Sequence, residues 1–317
     1  MKQLLLITRP LPDRVVDAAR AHFDVTLRRE TLPLSANESR AALRDYDAVL
    51  PTLGDRFDAG VFDDVPNPRA KILANFGVGY NHIDTAAAKA AGIAVSNTPG
   101  AVTDATADIA VMLILMTARR AGEGERMVRA GNWAGWHPTQ LLGTHVTGAS
   151  VGIIGMGRIG QAIARRCHFG FGMTVMFHNR SPLEGLGLPA RQVALMQAMA
   201  ADFVVVAVPG GPATRALINA AAFAAMRPNG IFINISRGEV VDEAALIAGL
   251  RSGQIAGAGL DVYEFEPHIP AALMAMENVT LLPHLGTAAL DVRIDMGLMA
   301  VDNLVAFAEG RDPPNRV

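Results

Sequence analysis

The sequence predicts an α/β fold of two doubly wound parallel-sheet domains, and three observations carry that prediction. Short β-branched or Leu-rich runs alternate with Ala-rich helical runs through the first hundred residues. The same rhythm restarts at "VGIIGMGRIGQAIARRC", after a long helical stretch. With 50% hydrophobic and 18% charged residues in 317, the chain has enough apolar material for two cores. Strand and helix in alternation imply parallel sheets covered on both faces.

In order, the first series reads "LLLIT", "DRVVDAARAHF", "VTL", "ESRAALRDY", "DAVLP", "AGVFDDV", "KILANFG", "IDTAAAKAAG" and "IAVSN". From "TPGAVTDATADIA" one helical stretch is expected to run to about Arg129 as a connector, with Thr and Asp near its start as capping residues. A polar loop with Trp and Gly follows, "AGNWAGWHPTQLLGTHVTGAS". Six strands are then expected at "VGIIG", "MTVMFH", "DFVVVAV", "IFINIS", "AGAGLDV" and "VTLLP", a complete dinucleotide-binding series. The last helical run, about Thr287 to Glu309, is expected to return to the first domain. The domains are therefore residues 1–98 with 285–317, and 99–284.

Composition narrows the function. A formal net charge of −2 and a pI near 6.4 give no basis for a general polyanion partner, so no nucleic acid is expected and any anion recognition is local. The N-terminal "MKQLLLITRP" reads as a first strand rather than a signal peptide. The apolar run Ile109 to Ala118 falls short of the roughly twenty residues a membrane span needs, so no membrane partner is expected. The single cysteine, Cys167, excludes an intramolecular disulfide and a thiolate zinc site and fits a cytoplasmic location; it reads as a packing residue. Scattered His and Asp residues show no metal-ligand spacing, so no metal is expected.

In "GMGRIG", Gly155, Gly157 and Gly160 satisfy GxGxxG directly after a strand and before a helix. The first glycine permits a tight turn, the second lets backbone approach a pyrophosphate, and the third lets helix pack closely on strand. Met156, Arg158 and Ile159 complete a cradle whose amides, with the helix dipole, favour phosphate. About twenty residues on, where a carboxylate commonly binds the ribose of NAD, the strand ends in "FHNRS". Asn179 is neutral, Arg180 can pair with phosphate in a forked geometry, and Ser181 can donate a further bond, so NADP is expected over NAD, with NAD still usable. Glu184, close by, is the residue that would instead favour a ribose.

Three polar residues follow strand ends in the second half: Arg237 after "IFINIS", Glu266 in "DVYEFEP" and His284 after "LLP". Ligands of open parallel sheets bind outside the carboxyl ends of the strands. A histidine titrates near neutrality and a neighbouring carboxylate fixes its tautomer, while arginine holds an anion. The three together make an acid, its orienting partner and an anion clamp.

With those residues in place, the chain resembles the D-isomer-specific 2-hydroxyacid dehydrogenase family, in particular its glyoxylate/hydroxypyruvate reductase branch. "NFGVGYNHID", "NTPGAVTDATAD", "VGIIGMGRIGQAIARR", "FINISRGEVVDEAAL", "AGAGLDVYEFEP" and "LLPHLGTAA" occur in the family's order along essentially the whole chain. The resemblance implies a Rossmann dinucleotide-binding domain inserted in a flavodoxin-like substrate domain, reduction of a small 2-keto acid to a D-2-hydroxy acid, and a homodimer. It implies that Arg237 binds the substrate carboxylate and keto oxygen, that Glu266 pairs with His284, and that His284 is the general acid. It places the substrate carboxylate on the amides of Val78 and Gly79, where flanking glycines allow an anion nest. It also points Trp136 toward a substrate site, its own or a neighbouring subunit's.

By the same resemblance Thr106, Val208, Pro209, Thr214, Ile235, Ser236, Asp261 and Gly286 join Arg237 and His284 on the cofactor's path, with Asp261 at the nicotinamide carboxamide. Gly210-Gly211 departs from the family's usual Leu-Thr and removes a hydroxyl there. His82, beside the carboxylate loop, is expected to cap or pack. Two other readings fit the same motifs: reduction of a longer sugar acid such as 2-ketogluconate, and a non-enzymatic nucleotide-sensing, corepressor-like protein. The complete Arg-Glu-His set, with neither long tails nor a basic patch, favours the enzyme.

Overall fold

The computed structural model describes residues 2–317, and the chain divides into two compact units. One runs up to Val102 and resumes at Thr287–Val317; the other is Thr103–Gly286.

The first unit opens with β1 (Leu4–Ile7), α1 (Asp13–His22), β2 (Asp24–Leu27), α2 (Ala36–Asp45), β3 (Ala48–Leu50), α3 (Ala59–Asp63), β4 (Ile72–Ala74), α4 (Thr85–Ala90) and β5 (Ala94–Ser96). Ser35, Asp58 and Asp84 start α2, α3 and α4 by accepting first-turn amides, which is why these short helices begin where they do. The strands pair in parallel in the order β2-β1-β3-β4-β5, a flavodoxin-like order that reverses between β1 and β3. Leu5, Ile7, Leu43, Leu50, Ile72 and Leu73 are fully buried between sheet and helices. Each such side chain removed from water stabilises the unit by about 1.5–3 kcal/mol before entropy is counted.

The second unit begins with α5 (Thr103–Ala118) and α6 (Ala121–Arg129). It continues through β6 (Ser150–Ile154), α7 (Arg158–Arg165) with a π-helical turn Arg166–Gly170, β7 (Thr174–His178), β8 (Ala190–Gln192), α8 (Leu195–Met199), β9 (Phe203–Val206) and α9 (Ala220–Ala224). β10 (Ile231–Asn234), α10 (Glu243–Arg251), β11 (Gly257–Leu260), α11 (Ala271–Met274) and β12 (Val279–Leu281) complete it. Its sheet is parallel, in the order β12-β11-β10-β9-β6-β7-β8. The order reverses between β6 and β9, beside the glycine turn that follows β6. The chain then returns to the first unit as α12 (Leu290–Ala308), which packs on α1 and β4.

Two expectations are corrected. The sheet has seven strands rather than six, because β8 adds an edge strand whose residues are largely exposed and leave no apolar run to read. The connector is two helices rather than one. Arg120 takes a left-handed conformation (φ 52°), and the amide of Thr144 caps the carbonyl of Ala118 at 2.8 Å. A Cβ on Gly143 would lie 2.2 Å from that carbonyl, so the later chain segment crosses directly over the end of α5. α5 is a core helix through Leu113 and Ile114, whereas α6 buries no residue.

Candidate active site

The glycine turn is built by exclusion. Gly155 has φ 100°, donates its amide to the His178 carbonyl at 2.9 Å, and has no room for a Cβ, which would lie 2.8 Å from the Ala207 carbonyl oxygen and Val208 Cγ1. A Cβ on Gly160 would meet the Gly155 carbonyl oxygen at 2.0 Å, so the first turn of α7 sits directly on the loop. At Gly157, the N-cap of α7, a Cβ would point into open space. The amides of Arg158, Ile159 and Gly160 have no acceptor among the described residues. Open room, free amides and the positive end of a helix fit a pyrophosphate.

The end of β7 is tied to that turn. Asn179 Oδ1 accepts the buried Met156 amide at 3.4 Å, and its Nδ2 donates to the Ser181 carbonyl at 2.9 Å. Gln192 of β8 donates to the carbonyls of Asn179 and Ser181 and accepts the Leu183 amide, so the edge strand shapes the loop. Arg180 and Ser181 are exposed, and the Arg180 guanidinium has no ion pair or hydrogen bond among the described residues. Glu184 is exposed as well.

After β10, Asn234 Oδ1 accepts from the amide and hydroxyl of Ser236 while its Nδ2 donates to the Arg237 carbonyl. This clamp turns the chain through buried Ile235 and Ser236 and brings Arg237 out at the strand end. Arg237 Nη1 donates to the Ser236 carbonyl at 2.7 Å. The next residue must be Gly238, since a Cβ there would lie 1.8 Å from the Tyr263 carbonyl carbon. That contact seats the Arg237 turn against the segment carrying Glu266. Burial pulls the Arg237 pKa down while the charges of Glu266 and Glu239 push it up; it stays cationic at any ordinary pH.

Glu266 and His284 form the centre of the arrangement. His284 Nδ1 lies 2.8 Å from Glu266 Oε2, and Glu266 Oε1 accepts the Tyr263 amide at 3.0 Å. A carboxylate can only accept, so Nδ1 is the donor; Nε2 has no partner among the described residues. Burial alone would raise the Glu266 pKa, but the hydrogen bond and charge of His284, the Tyr263 amide and the Arg237 charge hold it below the usual carboxylate range. His284 itself sits at φ 55°, a left-handed conformation, with its amide donating to the Asp261 carbonyl at 3.0 Å. Strain of this kind persists only where surroundings enforce it. They do: Asp261, 1% exposed, accepts the amides of Leu285 and Gly286 at 2.6 and 2.8 Å, and Thr106 Oγ1 donates to the Gly286 carbonyl at 3.2 Å. Burial raises the Asp261 pKa, against those two amides and the His284 charge.

The structure thus brings Arg237, Glu266 and His284 together, with Asp261, Thr106 and Gly286 behind them. In the loop after β9, Thr214 Oγ1 donates to the Pro209 carbonyl at 2.6 Å, and the Gly211 amide donates to Glu239 Oε1 at 2.8 Å. A Cβ on Gly210 would lie 2.8 Å from Arg237 Cγ, so the departure from Leu-Thr makes room for the arginine stem. Glu239 went unnoticed in the sequence; as an acid two residues after Arg237 it offered only a weak signal. Trp136 is 78% exposed in the loop after α6 and is not brought to the trio. Cys167 is buried and its thiol is pushed up to about 12, which makes it a packing residue and a poor nucleophile. In the other unit, the amides of Val78 and Gly79 follow β4 without an acceptor among the described residues, and His82 Nε2 packs 3.0 Å from Asn75 Oδ1. Among the described residues no group of three His, Cys, Asp or Glu could hold a metal ion, and no helix is long and apolar enough to cross a membrane.

Known proteins share this architecture. Residues 111–286 match the family model of the D-isomer specific 2-hydroxyacid dehydrogenase NAD binding domain. A glyoxylate reductase of Thermococcus onnurineus is 43% identical, over 100% of this chain and 96% of that protein. A glycerate dehydrogenase of Hyphomicrobium methylovorum is 35% identical, over 98% of each chain. The crystal structure of an NADPH-dependent glyoxylate/hydroxypyruvate reductase from Sinorhizobium meliloti, in complex with NADP and malonate, superposes with a TM-score of 0.88 at 37% identity, covering 100% of this chain and 97% of that one.

Proposed function

The chain belongs to the D-isomer specific 2-hydroxyacid dehydrogenase family, and from that premise we propose that it reduces small 2-keto acids, glyoxylate and hydroxypyruvate, to D-2-hydroxy acids, with NADPH preferred over NADH. The observation that carries the reading is the Glu266–His284 pair, 2.8 Å apart, with Nε2 of the histidine left without a partner among the described residues.

When bound, the nicotinamide dinucleotide supplies the hydride. Its pyrophosphate would rest on the amides at the start of α7, and a 2′-phosphate on Arg180 and Ser181, with Asn179 in place of a repelling acid. Thr106, Val208, Pro209, Thr214, Ile235, Ser236, Asp261 and Gly286 would line the rest of its path. Protonated His284 gives a proton from Nε2 to the developing alkoxide while Glu266 keeps Nδ1 as the donor toward itself. Arg237 binds the substrate carboxylate and keto oxygen, and the Val78 and Gly79 amides bind the carboxylate. A homodimer in the cytoplasm, with Trp136 serving a substrate site, belongs to the same proposal; the exposed Val128, Trp133, Trp136 and Leu142 support it as apolar surface.

Initial rates with glyoxylate, hydroxypyruvate and 2-ketogluconate, each with NADPH and NADH, test the proposal. The expected result is highest kcat/KM for one of the two small acids with NADPH. A clear preference for 2-ketogluconate would move the substrate to sugar acids, and no oxidation of either cofactor would favour the sensing protein.

A further inference from the structure

We propose that Asn75, Asn97 and the segment around Asn315 are positioning residues for the carboxylate loop, so that this segment, which follows α12, takes part in substrate recognition. This rests on the reading that the Val78 and Gly79 amides bind the substrate carboxylate.

The loop is fixed through its carbonyls. The Gly77 carbonyl accepts from Asn75 Nδ2 at 2.9 Å and from the Thr98 amide at 3.1 Å. The Val78 carbonyl accepts from Asn97 Nδ2 at 2.9 Å, and the Gly79 carbonyl from the same Asn75 Nδ2 at 3.0 Å. In a trans peptide the carbonyl of one residue and the amide of the next point in opposite directions. Pinning the Gly77, Val78 and Gly79 carbonyls therefore turns the amides of Val78, Gly79 and Tyr80 away from the pinning groups. None of those three amides has an acceptor among the described residues. Three consecutive donors held this way make a preorganised anion site, and Tyr80 adds a donor to the two already named.

The pins are themselves held by the C-terminal part of the chain. Asn303 on α12 is 0% exposed and donates from Nδ2 to the Asn97 carbonyl at 3.1 Å. Its Oδ1 accepts the Asn315 amide at 3.0 Å, and the Asn97 amide donates to the Asn315 carbonyl at 3.1 Å. Val317 extends the contact by donating its amide to the Val95 carbonyl at 3.0 Å. A buried asparagine on an otherwise apolar helix face costs stability unless its amide is fully used, and here both of its ends are. On the near side Arg293 of α12 lies over the Phe76 ring at 5.9 Å, directly before the loop. A continuous set of hydrogen bonds thus runs from Asn315 through Asn303 and Asn97 to the Val78 carbonyl.

The test compares wild type with Asn97→Ala and with a chain ending at Pro314. The readouts are KM and kcat for glyoxylate, kcat/KM for glyoxylate relative to its methyl ester, NADPH Kd by fluorescence, and Tm. Asn97→Ala is expected to raise KM for glyoxylate about tenfold and to lower the acid-over-ester preference by about the same factor, with kcat and NADPH Kd within about twofold. The shortened chain is expected to move the same two quantities in the same direction, and it decides the matter if Asn97→Ala does not fold. Wild-type preference for the acid, unchanged in both variants, overturns the positioning role and leaves the carboxylate reading standing. A wild type that does not prefer acid over ester overturns the carboxylate reading and the positioning role with it.

Discussion

Replacing His284 by alanine is expected to lower kcat for glyoxylate reduction by about 10³-fold, within the 10²–10⁴ that positioned proton transfer contributes, while NADPH binds with nearly unchanged Kd. The proposed phosphate cradle is made by backbone at Gly155 to Gly160 and does not depend on the imidazole. His284→Ala also relieves nothing useful, since alanine inherits the left-handed backbone at φ 55° enforced by Asp261. Glu266→Gln keeps the shape but can donate to Nδ1 as readily as accept from it, so the histidine loses its fixed tautomer; its kcat is expected to fall between wild type and His284→Ala. In the wild type the hydrogen bond and charge of His284, the Tyr263 amide and the Arg237 charge hold the Glu266 carboxyl below the usual carboxylate range, so His284 keeps an ionised partner across the neutral range. Single-turnover rates with a fluorescence titration of NADPH check this. A His284→Ala enzyme within about tenfold of wild type would remove His284 from the chemistry.

The second large effect is on cofactor choice. Asn179→Asp combined with Arg180→Ser is expected to swing the ratio of kcat/KM for NADPH over NADH by about 10²-fold toward NADH, the sum of a lost charge-assisted bond and a gained repulsion. Arg180 has no ion-pair or hydrogen-bond partner among the described residues to strand, so little stability is lost with it. Asp at 179 retains an oxygen for the Met156 amide, which keeps the glycine turn in place, and loses only the exposed donation to the Ser181 carbonyl, to which Gln192 also donates. Tm should therefore stay close to wild type. An unchanged ratio in a folded double variant would mean that the "FHNRS" stretch does not read the 2′-phosphate.

These two predictions rest on features the sequence displays openly. Glycines that can carry no Cβ and polar residues placed directly after apolar strands leave local marks, which is why the cradle and Arg237, Glu266 and His284 can be read from the chain. Tertiary causes leave no such mark. Arg119 and Arg120 continue a helical composition, and α5 ends there because Gly143 and Thr144 cross over Ala118. β8 is an edge strand held by its pairing to β7 and by Gln192, with no apolar alternation to announce it. The Gly210-Gly211 pair looks like no more than a lost hydroxyl until the Arg237 stem is seen lying against Gly210. Asn97, Asn303 and Asn315 are unremarkable apart; only the return of α12 to the first unit makes them one hydrogen-bonded set.

Hydride delivered to a 2-keto acid in this site is expected to give a D-2-hydroxy acid. Chiral analysis of the glycerate formed from hydroxypyruvate and NADPH decides it: D-glycerate is expected in step with NADPH oxidation, and L-glycerate, or no glycerate at all, would contradict that stereochemistry.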